Sequence, residues 1–246
     1  MTSAPLRRPE HLDLRRQGLN AVPDWVWSLR GLKTLNLSEN HLTSVSDEIA
    51  NLGRLRMLDL GHNELAELPA GLGELVNLTD YLYLSHNRLT TFPAFLGRLS
   101  RLKYLNVTDN QLTELPDAIG EMLGLRELRL YGNQLERLPD ALGKLINLRE
   151  LHLADNPITA LPDGLAGLRS LQILDLRNNR VQRVPEWLGD ISELAYVDLR
   201  NNRFDTLPDS LAGLSKLHKL DLRWNKLTVV PDWVDELERR GCAVLL

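Results

Sequence analysis

The sequence predicts an α/β solenoid, a stack of coils that each hold a strand, a turn and a short helical or irregular return. Three observations carry this. The phrase L-x-x-L-x-L-x-x-N-x-L-x-x-L-P-x-x-L-x-x-L recurs ten times, with its Asn at Asn40, Asn63, Asn87, Asn110, Asn133, Asn156, Asn179, Asn202 and Asn225 and Gln17 in that slot of the first copy. Every step is 23 residues except Asn63 to Asn87, which is 24. Self-similarity at a fixed period marks stacked units that bury a shared core. Within each copy, Leu alternates with other residues over a short stretch and then changes spacing after a Pro.

The coil is built in that order. Leu128-Arg129-Leu130 alternates with period two and reads as a strand with Leu inward. Leu138-Pro139-Asp140-Ala141-Leu142 reads as a helical turn. Pro suits the first position of such a turn, and the acid after it suits the helix dipole. Small residues follow the apolar return position in eight copies: Ala50, Gly73, Gly97, Gly120, Gly143, Ala166, Gly189 and Ala212. They are expected to let neighbouring return segments approach closely. One coil cannot bury its apolar face alone, so the chain is expected to be one cooperative array.

The phrase resembles the leucine-rich repeat superfamily over about residues 9–246. Its Leu-Pro return is similar to the 23-residue class of Ras-group scaffolds and bacterial repeat proteins. The resemblance implies a curved, right-handed solenoid with a parallel sheet on its concave side. It also implies that the Asn amide bonds to backbone groups of its own and adjacent coils, since these have no helix or sheet partner. Residues 1–246 are expected to form a single domain of ten repeats, about residues 9–239, with a degenerate first repeat. Residues 231–246 are expected to cap it, as a helix with early acids and late Arg, a stop at Gly241, and a last strand. That apolar strand edge offers weak association with a second copy.

Composition narrows the function. A formal net charge of −4 favours neither nucleic acid nor an anionic membrane, and no run is long enough to insert in a membrane. The first ten residues lack the apolar stretch of a signal peptide. Cys242 is the only cysteine, so the cysteine-paired caps usual in extracellular members cannot form. A cytoplasmic location is expected, with an exported bacterial effector as the alternative. The sequons at Asn36, Asn77 and Asn106 are read as incidental. There is no phosphate-binding loop, no H-E-x-x-H and no paired-cysteine motif, so no enzyme, cofactor or metal is expected.

Function then falls to the variable positions of the strand segment, which the resemblance puts on the concave face. All five tyrosines lie there: Tyr81, Tyr83, Tyr104, Tyr131 and Tyr196. Exposed aromatics are favoured at binding hot spots. Tyr81, Tyr83, Tyr104 and Tyr131 belong to three consecutive repeats and are expected to form one patch. His62, His86, Arg126, Arg129, Arg149 and His152 are expected to border it. The single 24-residue step falls here, and one extra residue at a strand entry reads as a bulge.

Nearer the end, Asp175, Asp198 and Asp221 form one column and Arg177, Arg200 and Arg223 the next, read as a structural charge ladder of exposed pairs. Trp224 is a secondary anchor, whereas Trp25, Trp187 and Trp233 share a return slot and are expected to pack. The expected function is a protein-interaction module, in signalling or scaffolding. A small-ligand receptor is the other alternative.

Overall fold

The computed structural model describes residues 9–246. Each copy of the phrase contributes one three-residue strand: β1 (His11–Asp13), β2 (Thr34–Asn36), β3 (Met57–Asp59), β4 (Tyr81–Tyr83), β5 (Tyr104–Asn106), β6 (Glu127–Arg129), β7 (Glu150–His152), β8 (Ile173–Asp175), β9 (Tyr196–Asp198) and β10 (Lys219–Asp221). With β11 (Ala243–Leu245) they form one parallel sheet in strict chain order. The central Leu or Val of each strand aligns with that of its neighbour. The sheet is the concave wall of a curved α/β solenoid.

Return segments are five-residue 3-10 helices such as Asp140–Lys144. The Pro before them is not the first helical residue, as its propensity had suggested. Pro139 is extended, at φ −76° and ψ 145°, and its carbonyl accepts the first helical bond from Leu142 at 3.1 Å. The fixed φ of proline suits both states; here ψ stays extended because the chain must cross from one wall of the coil to the other.

The repeated leucines point inward. Leu125, Leu128, Leu130, Leu135, Leu142 and Leu145 are fully buried in one continuous core. Close approach of the return segments is observed where the small residues lie. A Cβ at Gly143 would stand 1.8 Å from the Gly164 carbonyl oxygen of the next coil, and one at Gly120 would stand 2.3 Å from that of Ala141.

The buried Asn ties coil to coil. Asn133 Nδ2 donates to the carbonyls of Leu130 in its own coil and Val107 in the preceding one, both at 2.9 Å. Its Oδ1 accepts from Leu112 N–H at 3.0 Å. The same three-way bond recurs at Asn63, Asn110, Asn156 and Asn179. Sheet and 3-10 bonds leave these groups without partners, so the amide supplies what the backbone cannot.

The 24-residue step is absorbed locally. In the regular coil, two successive N–H groups share one carbonyl, as Arg126 and Glu127 share that of Lys103. After the insertion the pair splits. Lys103 N–H donates to Thr79 and Tyr104 N–H donates to Asp80, so two residues face one, which is a bulge. Strand register on both sides is kept.

At the far end, α1 (Trp233–Arg239) precedes Gly241 at φ +91°, and Val234, Leu237, Cys242 and Val244 are buried against the last coil. Trp187 and Trp233 pack partly buried on the core, whereas Trp25 stays 52% exposed.

Asn133→Ala is expected to cost at least about 1–3 kcal/mol, because it strands one donor and two acceptors in the interior. Gln134→Ala, an exposed neighbour, should leave the urea midpoint unchanged. Gly143→Ala should also destabilise, whereas Gly213→Ala meets nothing within 4 Å and should be tolerated. Equal midpoints for Asn133→Ala and Gln134→Ala would refute the ladder's role.

Candidate functional site

Outward positions of each coil form columns running along the solenoid, since successive strands stack about 4.8 Å apart. The third and fifth positions of the nine-residue phrase lie on the concave face. Tyr81 and Tyr104 are cross-strand partners in the third column, and Tyr83 lies in the fifth. Their rings form one group: Tyr81 to Tyr83 at 5.9 Å, Tyr81 to Tyr104 at 5.5 Å and Tyr83 to Tyr104 at 5.1 Å between centroids. Arg129 extends the group, its guanidinium carbon 5.6 Å from the Tyr104 centroid. Such stacked and tilted pairs hold the rings in place before any partner arrives.

Electrostatics reinforce this. Burial pushes the Tyr104 hydroxyl up to about 12, against the pull of Arg129, and burial raises Tyr83 as well. Both phenols therefore stay protonated donors at neutral pH. Arg129 Nε donates to Glu127 at 2.5 Å, and His152 Nε2 lies 3.1 Å from Glu150 Oε2. Atoms of Glu127, Glu150 and His152 fall within 4.8 Å of one another, spacing that would admit a divalent cation. Arg129 already supplies positive charge there. Sequence reasoning did not single out the two glutamates; their place beside Tyr104 in the third column was the available signal.

Other expected site residues lie apart. Tyr131 sits in the turn beyond β6 and makes no ring contact with the other tyrosines. The reason is local: its side chain leaves from the seventh position, past the strand end. His86 stacks on His62 at 4.0 Å and faces Asp109 at 3.3 Å, a separate pair at the turn edge. Trp224 follows β10, several coils away. It is 69% exposed, with Arg223 5.3 Å from its ring.

Two local rules explain what these columns are free to do. At the eighth position, just before the Asn, the backbone is left-handed in every repeat, from Arg16 (φ 55°) to Trp224 (φ 61°). Asp109, Asp155, Asn178, Asn201 and Gly132 suit that conformation, whereas a Trp does not. At the fifth position an Asp or Asn normally closes an Asx turn. Asp13, Asn36, Asp59, Asn106, Asp175, Asp198 and Asp221 each accept the N–H two residues on, at 2.9–3.4 Å. Three repeats give this bond up, and their residues are Tyr83, Arg129 and His152.

The charge ladder is present but not uniformly exposed. Arg200 reaches Asp198 at 2.7 Å and Asp221 at 3.4 Å, and Arg223 reaches Asp221 at 2.7 Å. Asp221 is fully buried, contrary to the expectation of exposed pairs, with Arg200, Lys219 and Arg223 all at its carboxylate, at 3.4, 3.7 and 2.7 Å. Burial would push its carboxyl up, but the Arg223 side chain and N–H together with Arg200 outweigh that and hold it below the usual range. Asp175 is raised by burial.

Family models described as leucine rich repeat match residues 10–65 and 77–135, and one described as leucine-rich repeat region matches 140–238. The chain belongs to the leucine-rich repeat family. It is similar to a leucine-rich repeat protein of Leptospira interrogans, at 34% identity and TM-score 0.89, over 96% of this chain and 60% of that one. It is also similar to the ectodomain of the Arabidopsis thaliana membrane receptor kinase GASSHO1/SCHENGEN3, solved with Casparian strip integrity factor 2, at 34% identity and TM-score 0.82, over 91% of this chain and 28% of that one. The Arabidopsis receptor kinase HAESA, solved with a peptide hormone and a co-receptor, matches at 29% identity and TM-score 0.78, over 92% and 40%. The chain thus spans less than two thirds of each. No curated protein matches significantly. Leucine-rich repeat folds generally mediate protein–protein interaction and are typically non-enzymatic. Among the described residues no helix is long and apolar enough to cross a membrane.

The two acids give opposite pH signatures. Asp221, with its folded pKa lowered, contributes stability above its unfolded value and loses it as acid titrates the folded group. Asp175, with its folded pKa raised, contributes below its unfolded value and loses that as pH rises. Both Asn substitutions keep the Asx acceptor. Asp221→Asn should therefore lower the urea midpoint at about pH 7 and narrow its gap to that at about pH 3. Asp175→Asn should leave the neutral midpoint equal or higher. The same direction of change for both would contradict these assignments.

Proposed function

We propose that this protein binds a protein or peptide partner through the concave face at β4–β7, as a signalling or scaffolding module in the cytoplasm. The observation that carries this is the exchange of the Asx residue for Tyr83, Arg129 and His152 within four consecutive coils. A backbone bond that recurs elsewhere is forgone where the face turns aromatic and cationic. Stability given up locally at a surface points to use of that surface. The similar GASSHO1/SCHENGEN3 ectodomain, solved with an integrity factor, and HAESA, solved with a peptide hormone and a co-receptor, support the partner class. Tyr81, Tyr83 and Tyr104 form the centre, with Arg129 and His152 on the C-terminal side. Trp224 forms a second anchor, since its left-handed backbone is a comparable local cost. The open edge of β11, with Leu246 exposed, offers a weaker site for a second copy, which light scattering over a concentration series would reveal.

Restoring the local rule should separate stability from binding. His152→Asn and Arg129→Asn each allow the missing Asx turn and should stabilise by about 0.5–1 kcal/mol in urea melts. The same changes, and Tyr83→Ala or Tyr104→Ala, should weaken a partner recovered by pull-down and measured by calorimetry, the tyrosines by about 2 kcal/mol or more. Full affinity in the Tyr83→Ala/Tyr104→Ala double variant would move the site elsewhere.

A further inference from the structure

A second surface runs beside the tyrosines, at the second position of the phrase, where the chain enters each strand. Its residues are Lys33, Arg56, Asp80, Lys103, Arg126 and Arg149 on six successive coils. Backbone bonds join these coils directly, Lys103 carbonyl to Arg126 N–H and Arg126 carbonyl to Arg149 N–H, both at 2.8 Å. The first half is neutralised. Lys33 pairs with Glu10 at 2.7 Å, and Asp80, shifted into place by the bulge, pairs with Arg56 at 3.0 Å. The second half is not. Asp80 reaches Lys103 only at 3.8 Å, and Arg126 and Arg149 carry no ion pair among the described residues. Three cationic side chains therefore leave backbones stacked about 4.8 Å apart with one acid between them, an arrangement of like charges that an anion would relieve.

The surface is also concave and partly apolar. One depression of about 510 Å³ is lined by Arg54, Arg56, Arg101 and Lys103, and a second of about 480 Å³ by Arg101, Lys103, Arg126 and Arg149. They share Arg101 and Lys103 and so form one groove. Leu123 lines it and is about half exposed, as is Ile146 in the same slot of the next coil, while Ser100 fills that slot in the coil before. No aromatic ring lines it, so it lacks the stacking platforms with which proteins hold single-stranded nucleic acid. The chain as a whole is negative, so the cations are concentrated here rather than in general surplus.

We propose that this groove, and chiefly its Lys103–Arg126–Arg149 half, binds an extended acidic segment of a partner protein that carries apolar side chains between its acids. Six coils span about 24 Å, room for about seven extended residues. The charges select carboxylates, and Leu123, with Ile146 on the next coil, takes the apolar side chains. This site stands independently of the tyrosine surface, and its test does too.

The probe is a fluorescein-labelled peptide of alternating Glu and Leu, about eight residues long, followed by anisotropy at low and physiological salt. Matched Glu-Ser and Lys-Leu peptides and a single-stranded RNA of similar length are the comparisons. The Glu-Leu peptide should bind the full chain, weaken as salt rises, and bind at least tenfold less tightly to Arg126→Glu/Arg149→Glu. The milder Arg126→Gln/Arg149→Gln should also weaken it while melting no lower than the parent, since repulsion is removed. Tyr83→Ala should leave it unchanged. Equal binding by either double variant, or by Lys-Leu, overturns the site. Tighter binding of RNA overturns the peptide assignment, and equal binding of Glu-Ser overturns the apolar one.

Discussion

Everything in this structure depends on how a three-residue strand satisfies its backbone. Strands this short pair fully only at their centres, and the turn that follows each one points carbonyl and N–H groups into an apolar core. The Asn amide takes them up, bonding two carbonyls from successive coils and one N–H of the preceding coil. An unpaired buried polar group costs about as much as a lost hydrogen bond, so each coil after the first, which carries Gln17, needs its Asn, and every coil needs a neighbour. The fixed 23-residue period follows, because a coil of different length would carry its amide past the groups it serves. Where one coil is longer, the extra residue is expelled before the strand at Thr79–Asp80, and the Asn87 ladder is undisturbed.

The same constraint divides the chain into bound and free positions. Leu and Asn slots hold the core, joined by the seventh slot where it is small, as at Ser38, Ser85, Thr108 and Ala154, while the second, third and eighth slots lie toward the surface. Outward slots are still not all equivalent. The eighth is forced left-handed by the turn before the Asn, and the fifth is drawn to Asp or Asn by the N–H two residues on. A residue there answers to local backbone chemistry before it answers to any partner. The second and third slots carry no such demand, which is why they differ so much in charge and size from coil to coil.

The repeat made the solenoid legible, since period two within Leu128–Leu130 and the recurring Asn each have one physical reading. What stayed hidden was conformation that depends on ψ and on neighbours. Pro139 has the same φ in a helix and in an extended cap, so residue type alone could not place it. Asp221 looks like Asp175 and Asp198 in the phrase, yet it alone is fully buried, where Arg200, Lys219 and Arg223 converge on it. Tyr131 shares its type with Tyr104 but departs from the turn, at the seventh position rather than the third, and this carries it out of the ring cluster. The left-handed eighth position was visible only as a bias toward Asp, Asn and Gly, interrupted by residues such as His62 and Glu39. At the candidate site, the concentration of tyrosines was readable from sequence, whereas the Glu127–Arg129 and Glu150–His152 pairs required the register of the sheet.

Departures from the local rules are therefore the most informative residues on this surface. An Asp at the fifth position has a sufficient explanation in its own turn, and Asp175 and Asp198 need no partner to account for them. Tyr83, Arg129 and His152 have no such explanation, and they fall within four coils whose rings and charges already contact one another. At the eighth position Arg16, Glu39, His62, His86 and Trp224 all depart from Asp, Asn or Gly, and of these Trp224 is the bulkiest, left exposed with Arg223 against it. In an array where neighbouring coils solve the same backbone problem the same way, a coil that solves it less well exposes what else its residues serve. The bulge sharpens this. By inserting Asp80 it neutralises the basic groove toward Arg56, reaches Lys103 only at 3.8 Å and leaves Arg126 and Arg149 without an ion pair, so one extra residue brings an aromatic surface and a cationic one side by side on the same four coils.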